Sequence, residues 1–280
     1  MIHRSKIIPC LILLSMALYI NPVRAEKKPL WEFSLGIAVF NISDYRGSDE
    51  RSNYVIPFPY IQYRGKRFRF DREGGHLDIF HTNGVKLDFS LGAGPPVESR
   101  DNKAREGMPD LNLQLEIGPQ LEIRLATNIE KRRIWRLILP LRAAIATDLS
   151  ETETIGWIFA PHVQVDFKYK WDIGIALGPL YATEKYHDYF YQVAPQFATA
   201  ARPAYDASSG YSGTRLTFLV SRTFRKFHFG AFARYDTLSG SVFEDSPLVK
   251  RNHSFMIGTG IAWYLAKSKK MVEWENGPGE

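Results

Sequence analysis

Leu111, Leu113, Leu115, Ile117, Leu121, Ile123 and Leu125 all carry odd numbers, and Asn112, Gln114, Glu116, Glu122 and Arg124 lie between them. A period of two is the signature of an extended strand whose two faces meet different surroundings, because successive side chains point to opposite sides. The pattern recurs along the chain. Trp31, Phe33, Leu35, Ile37 and Val39 alternate with Glu32, Ser34, Gly36 and Ala38, and Val85, Leu87, Phe89 and Leu91 alternate with Lys86, Asp88, Ser90 and Gly92. Trp157, Phe159, Val163, Val165 and Phe167 face His162, Gln164, Asp166 and Lys168, while Phe227, Phe229, Ala231, Ala233 and Tyr235 face His228, Gly230, Arg234 and Asp236. Phe255, Ile257, Ile261, Trp263 and Leu265 complete the series against Gly258, Gly260 and Ala262. Gly118-Pro119 is expected to interrupt the Leu111–Leu125 strand.

A soluble sandwich shows alternation too, so the connections decide between the two. Short links fall at 64–66, 81–84, 130–133, 168–170 and 225–226, and long ones at 41–53, 94–110, 147–154, 183–212 and 237–252. With a turn at 72–75, all the short links fall on one rim, as they do on the periplasmic side of outer-membrane barrels. The expectation is an antiparallel transmembrane β-barrel of about 12 strands. Segments 67–71 and 76–80 are shorter than the ~9–11 residues a spanning strand needs, which leaves ten strands with one folded-over hairpin as the alternative. Trp31, Trp135, Trp157, Trp171, Trp263 and Tyr264 near strand ends fit interfacial girdles.

The start of the chain agrees with export. Arg4 and Lys6 precede an apolar run from Ile7 to Ile20, and Val23-Arg24-Ala25 offers small residues for cleavage between Ala25 and Glu26. The run is shorter than the ~20 residues of a spanning helix. The expected division is a leader at 1–25, a barrel at 26–266 and a flexible periplasmic extension at 267–280. Removing Arg4, Lys6 and Arg24, with no acid in that segment, takes the formal charge from +6 to +3, too small a surplus to point to nucleic acid. Cys10 is the only cysteine, so the exported chain is expected to carry no disulfide.

Tyr45-Arg46-Gly47-Ser48-Asp49 followed by Pro57 and Tyr60, then 186–205 with Phe190-Tyr191-Gln192-Val193, and then Asp245-Ser246-Pro247-Leu248-Val249 together resemble the MipA/OmpV family. The resemblance implies an outer-membrane protein that acts as a scaffold between a lytic transglycosylase and a murein-synthesising penicillin-binding protein. Family members usually end on an aromatic residue, whereas this chain runs on from Trp263-Tyr264-Leu265 to Glu280.

Lys86, Asp88, Glu116, Glu122, Arg124, Arg142, Asp166 and Arg234 are expected to line the lumen, where charges of both signs can pair and fill the interior. A small solute channel is the alternative function. An enzyme, such as a lipid-modifying one, would need a nucleophile beside a base, and Ser221 with His162 or His228 is the pair available. No catalytic, cofactor or metal site is expected; His76 with Asp78, at i, i+2 on a turn, reads as a solvated turn rather than a ligand set. The loop segments 44–51 and 184–188 are expected to face lipopolysaccharide, ions or partners. Arg132, Arg133, Lys168, Lys170, Arg225 and Lys226 gather at the opposite rim, within reach of lipid headgroups or murein.

Overall fold

A computed structural model describes residues 26–274 other than 66–67, 72–73, 78–79, 83, 129 and 131. The leader expected at 1–25 and Asp78 of the His76–Asp78 pair lie outside the described residues. The strands are β1 (Glu26–Pro29), β2 (Trp31–Ser43), β3 (Arg51–Arg64), β4 (Phe68–Asp71), β5 (Gly74–Leu77), β6 (Phe80–Thr82), β7 (Val85–Gly94) and β8 (Leu113–Asn128). They continue as β9 (Arg133–Thr147), β10 (Thr152–Phe159), β11 (His162–Lys168), β12 (Asp172–Ala182), β13 (Gly210–Thr223), β14 (Phe227–Thr237), β15 (His253–Lys267) and β16 (Met271–Trp274), with one α-helix among the described residues, α1 (Glu184–Tyr191), after β12.

Every wall pairing is antiparallel, and the hydrogen-bonded path runs β5-β4-β3-β2-β15-β14-β13-β12-β10-β9-β8-β7-β6. β10 and β11 are two halves of one wall strand, since both pair with β9 on either side of Ala160-Pro161. The path ends, β5 and β6, are neighbours in the chain, and β5 lies against β7. With β10–β11 counted once, the described residues give the wall thirteen strands, of which β4, β5 and β6 are short segments. The first wall strand meets the last: β2 pairs with β15 from Ile42↔Met256 to Glu32↔Lys267. In hydrocarbon that pairing matters because an open edge would leave backbone groups unsatisfied.

Parity sorts the faces. Leu35, Ile37, Val39, Leu91, Ile117, Leu177, Ile257 and Trp263 are exposed on the outer face, while Ser34, Asp88, Asp166 and Asp236 are buried on the inner one. The outward apolar belt and polar interior make this the wall of an outer-membrane β-barrel. The helix α1 is far too short to cross a membrane, and the membrane is crossed by strands.

Two expectations are corrected. β8 runs unbroken through Gly118-Pro119, because β7 continues to pair there (Ser90↔Gly118, Phe89↔Pro119) and only the ladder to β9 has a gap. Gly118 is needed for that approach, since a Cβ there would lie 1.9 Å from the Leu141 carbonyl oxygen. The break falls instead at Ala160-Pro161, where the proline has no N–H to offer a ladder. The segment 267–280 is expected as a flexible extension, yet Met271–Trp274 pairs with Glu26–Pro29 as a two-stranded ribbon continuing the β2–β15 seam. Leu30 N–H donates to the Lys270 carbonyl and Ser268 N–H to that of Trp31, so the backbone ladder carries through the junction despite lysines and an unfavourable composition.

Candidate functional site

The largest cluster of buried apolar residues lies outside the wall. Phe243, Leu248 and Leu238 are fully buried, and with Tyr45, Leu111, Tyr191 and Val193 they form a single cluster drawn from four long loops, 44–50, 95–112, 183–209 and 238–252. Polar contacts tie the loops together. Tyr45 Oη donates to the Leu248 carbonyl (2.8 Å), Tyr191 Oη to that of Arg46 (2.9 Å), and Ser246 Oγ to that of Tyr191 (2.8 Å). Gly47, at φ +96°, accepts from the N–H groups of Lys250 and Arg251 and donates to Ser254 Oγ. A side chain is disfavoured at that φ, and its Cβ would crowd Leu238 and Val249. Arg105 is buried among the same loops, donating to the carbonyls of Phe190 (3.0 Å) and Pro109 (3.1 Å). Burial pushes the Tyr45 and Tyr191 phenols above their usual range, so both remain neutral donors.

The helix α1 leads this cap into the barrel. Tyr186, Tyr189 and Phe190 pack on Ala144, Ala146 and Ile155 of β9 and β10. A register shift between Thr154 and Gly156 accompanies the burial of Ile155, and Gly156 at φ +125° leaves room for the helix: a Cβ there would lie 2.3 Å from Thr183 Oγ1. His187 is fully buried, 4.8 Å from the Phe243 ring centroid, with Nδ1 2.6 Å from the Ser208 carbonyl oxygen. That contact makes Nδ1 the protonated nitrogen of a neutral ring. Burial lowers its pKa to about 4.

Below the cap, charged side chains meet across the inner wall. Arg46 Nε contacts Asp236 Oδ2 at 2.8 Å, and Arg215 forks onto the same carboxylate with two contacts of 2.8 Å. Arg142 Nε lies 3.0 Å from Glu116 Oε2, whose other oxygen accepts from Tyr186 Oη at 3.2 Å. Arg136 joins Asp166 (Nε to Oδ2, 3.1 Å) to Glu122 (3.3 Å), and Lys86 pairs with Asp88 at 2.9 Å.

Six of the eight charges expected in the lumen take part in these ion pairs. Lys86 and Asp88 meet, as do Glu116 and Arg142; Glu122 and Asp166 are joined through Arg136; Arg124 is set opposite Arg136 in the register, and Arg234 sits within the Arg215–Asp236 group. Sequence reasoning missed Arg136, Arg215 and Asp236 as partners and left Arg46 in an external loop. Trp135, Leu137, Leu139 and Leu141 are all odd-numbered, so parity alone could have turned Arg136 inward.

Nearer the short-link rim the lumen holds a cavity of about 290 Å³ lined by Phe58, Tyr60, Ser221, His228, Gly230 and Phe232 among others. Ser221 and His228 therefore share a cavity that His162 does not line. His228 Nδ1 stands 3.0 Å from Thr223 Oγ1 and 3.5 Å from Tyr264 Oη, and its ring is packed between Tyr60 and Tyr264. His162 Nδ1 contacts the Ala160 carbonyl instead. Among the described residues no group of three histidine, cysteine or acidic side chains is placed to hold a metal ion.

An antiparallel wall with an apolar outer belt, a paired polar interior and a folded cap of long loops defines an outer-membrane β-barrel protein. The model of the MltA-interacting protein MipA family matches residues 35–265, and the chain belongs to that family. YiaT of Escherichia coli K12, whose description is that of an outer membrane protein, is 25% identical over 256 residues, covering 83% of this chain and 90% of its own. An outer membrane channel from Pseudomonas putida F1 superposes with a TM-score of 0.42 at 10% identity, over 88% of this chain and 100% of its own. A bacterial polysaccharide outer membrane secretin gives 0.42 at 10% identity, over 84% and 99%.

Proposed function

We propose that the protein is a non-enzymatic anchor in the outer membrane that holds murein-cleaving and murein-synthesising enzymes at its periplasmic rim. The observation that carries this reading is the condensation of four loops into one apolar body, with Tyr186, Glu116, Arg142, Arg46, Asp236 and Arg215 bonded beneath it. A lumen so occupied favours a binding platform over a path for solutes. The family's description names interaction with MltA, and the resemblance implies a lytic transglycosylase and a penicillin-binding protein as partners. The rim that would meet them is the one with short links, where the β1–β16 ribbon adds Lys27, Lys28, Lys269 and Lys270 to the basic turns, a surface suited to acidic partners. The outer belt meets lipid, with lipopolysaccharide on the side of the long loops.

Against an enzyme stands the neighbourhood of His228. In a serine–histidine pair the Nδ1 position belongs to an orienting carboxylate, and here it belongs to Thr223 and Tyr264. The cavity beneath the cap favours a second reading, a narrow solute channel. Affinity capture from solubilised envelopes tests the anchor: murein enzymes should be recovered with the barrel and lost when the rim lysines are replaced by glutamate. Planar-bilayer recording tests the channel, and steady conductance by the intact protein would replace the anchor with it.

A further inference from the structure

Where loop 44–50 meets loop 238–252, at the upper edge of the apolar belt, lies a second cavity of about 180 Å³, walled by Arg51, Arg251, His253, Ser43, Ser254 and Phe255. It opens on the outer face. Arg51 and Ser43 are paired in the β2–β3 ladder, two positions above the outward pair Asn41↔Asn53 and four above Val39↔Val55. At ~3.3 Å per residue this sets the Arg51 backbone roughly 13 Å above valines whose side chains face lipid, and its guanidinium, bonded to Asn41, reaches back to about half that height. Val39 and Val55 are both exposed, and Phe255 is exposed at the level of the cavity itself.

Arg51 is held by neutral groups. Its Nε donates to Asn41 Oδ1 (2.7 Å) and its Nη1 to Ser43 Oγ (3.1 Å), while Asn41 Nδ2 donates to Asn53 Oδ1 (2.8 Å). The guanidinium is thus oriented without being neutralised. Ser43 accepts from Arg51 and Ser254 accepts from Gly47 N–H, so each keeps a hydroxyl hydrogen to donate. Arg251 is exposed, and the His253 ring lies along that of Tyr235, 6.2 Å away and 19° from parallel. Asp49 opens onto the same cavity and subtracts one charge from the two arginines.

We propose that this cavity binds a phosphate of a lipid headgroup in the outer leaflet, with the acyl region lying on the Phe255, Val39 and Val55 surface below. The exposed Arg251 guanidinium, suited to bidentate contact, the remaining Nη1 hydrogen of Arg51, whose Nη2 also donates to Asn41, and two hydroxyls match a phosphate's acceptor oxygens. A membrane-facing position with an apolar floor selects a phosphate that carries chains. The inference rests on the orientation adopted above, with long loops outward, and is independent of any murein enzyme.

The test uses the full exported chain in detergent, titrated with phosphorylated lipid A, with enzymatically dephosphorylated lipid A and with inorganic phosphate. Phosphorylated lipid A should bind at least tenfold more tightly than the dephosphorylated form. R251Q alone should weaken it several-fold, R51Q/R251Q about tenfold, and D49N should strengthen it at low salt, each variant keeping its heat-modifiable migration. Equal binding of both lipids, or wild-type affinity in the folded double variant or in folded R251Q, would overturn the proposal. Displacement of the lipid by millimolar inorganic phosphate would assign the cavity to the free ion and overturn the lipid assignment. Loss of enzyme capture at the opposite rim would leave this result untouched, so the two readings fail separately.

Discussion

The ring of Tyr191 lies flat on that of Phe243, with centroids 3.8 Å apart and planes 8° from parallel, so the helix after β12 and the loop after β14 share one stacked pair at the centre of the cap. Phe243 is fully buried, and its replacement by alanine should cost the cap ~3–5 kcal/mol through lost burial and the cavity left behind. Its buried neighbours Tyr45, Leu111, Tyr191 and Leu248 all belong to the loops. Phe243→Ala should therefore speed proteolysis of loops 183–209 and 238–252 while the barrel keeps its heat-modifiable migration. Loss of the folded barrel in this variant would mean that cap and wall form one cooperative unit.

Acid should loosen the same cap. His187 is neutral in the folded cap with a pKa of about 4, below its ordinary value of 6.5. Between those two values the unfolded cap binds more protons than the folded one, so stability is full above about pH 6.5 and falls as pH drops towards 4. Hydrogen exchange in 183–209 should rise over that window, and His187→Gln should flatten the dependence. An unchanged slope in the variant would remove His187 as its source.

In the lumen, Arg136 bridges Asp166 and Glu122. Its replacement by methionine leaves two inward carboxylates without that cation and should destabilise the barrel by ~3–5 kcal/mol. The double change with Asp166→Asn should recover part of the loss. Urea unfolding in lipid vesicles reads both, and additive effects would show that the two residues act independently.

On the opposite face, Leu91→Arg should cost ~2–4 kcal/mol if the side chain sits at the bilayer midplane. The same substitution at Leu149, an exposed residue in the turn 148–151, which is tighter than the long link expected at 147–154, should cost little in the same assay. Equal tolerance at both positions would remove the membrane from around Leu91.

Proteinase K added to intact cells should cut the exposed stretch 195–204 of the β12–β13 loop and spare the 169–171 turn. Cutting only after the outer membrane is permeabilised would invert the orientation.

The wall was readable because a strand's two faces differ by parity, a local property that Leu87 and Asp88 display side by side. The charges expected in the lumen were read by the same rule, which Arg136 obeys as Arg142 does. The cap was not readable. Tyr45, Leu111, Tyr191 and Leu248 share no spacing, and their burial depends on which loops the wall brings together. The family-like segments 45–49, 190–193 and 245–249 marked these loops without saying that they touch. The β1–β16 ribbon was missed for a different reason: backbone pairing inherited from the neighbouring seam outweighs the poor strand propensity of its lysines.

That seam also has a bearing on time. β2 and β15 stand next to each other in the wall although more than two hundred residues of chain separate them, as in Ala38↔Gly260. During export the first strand emerges long before its neighbour exists, so its edge waits exposed and able to pair with the wrong chain. Whatever receives this polypeptide in the periplasm must shield that edge until the last strand arrives, and the lag grows with any slowing of translation or translocation.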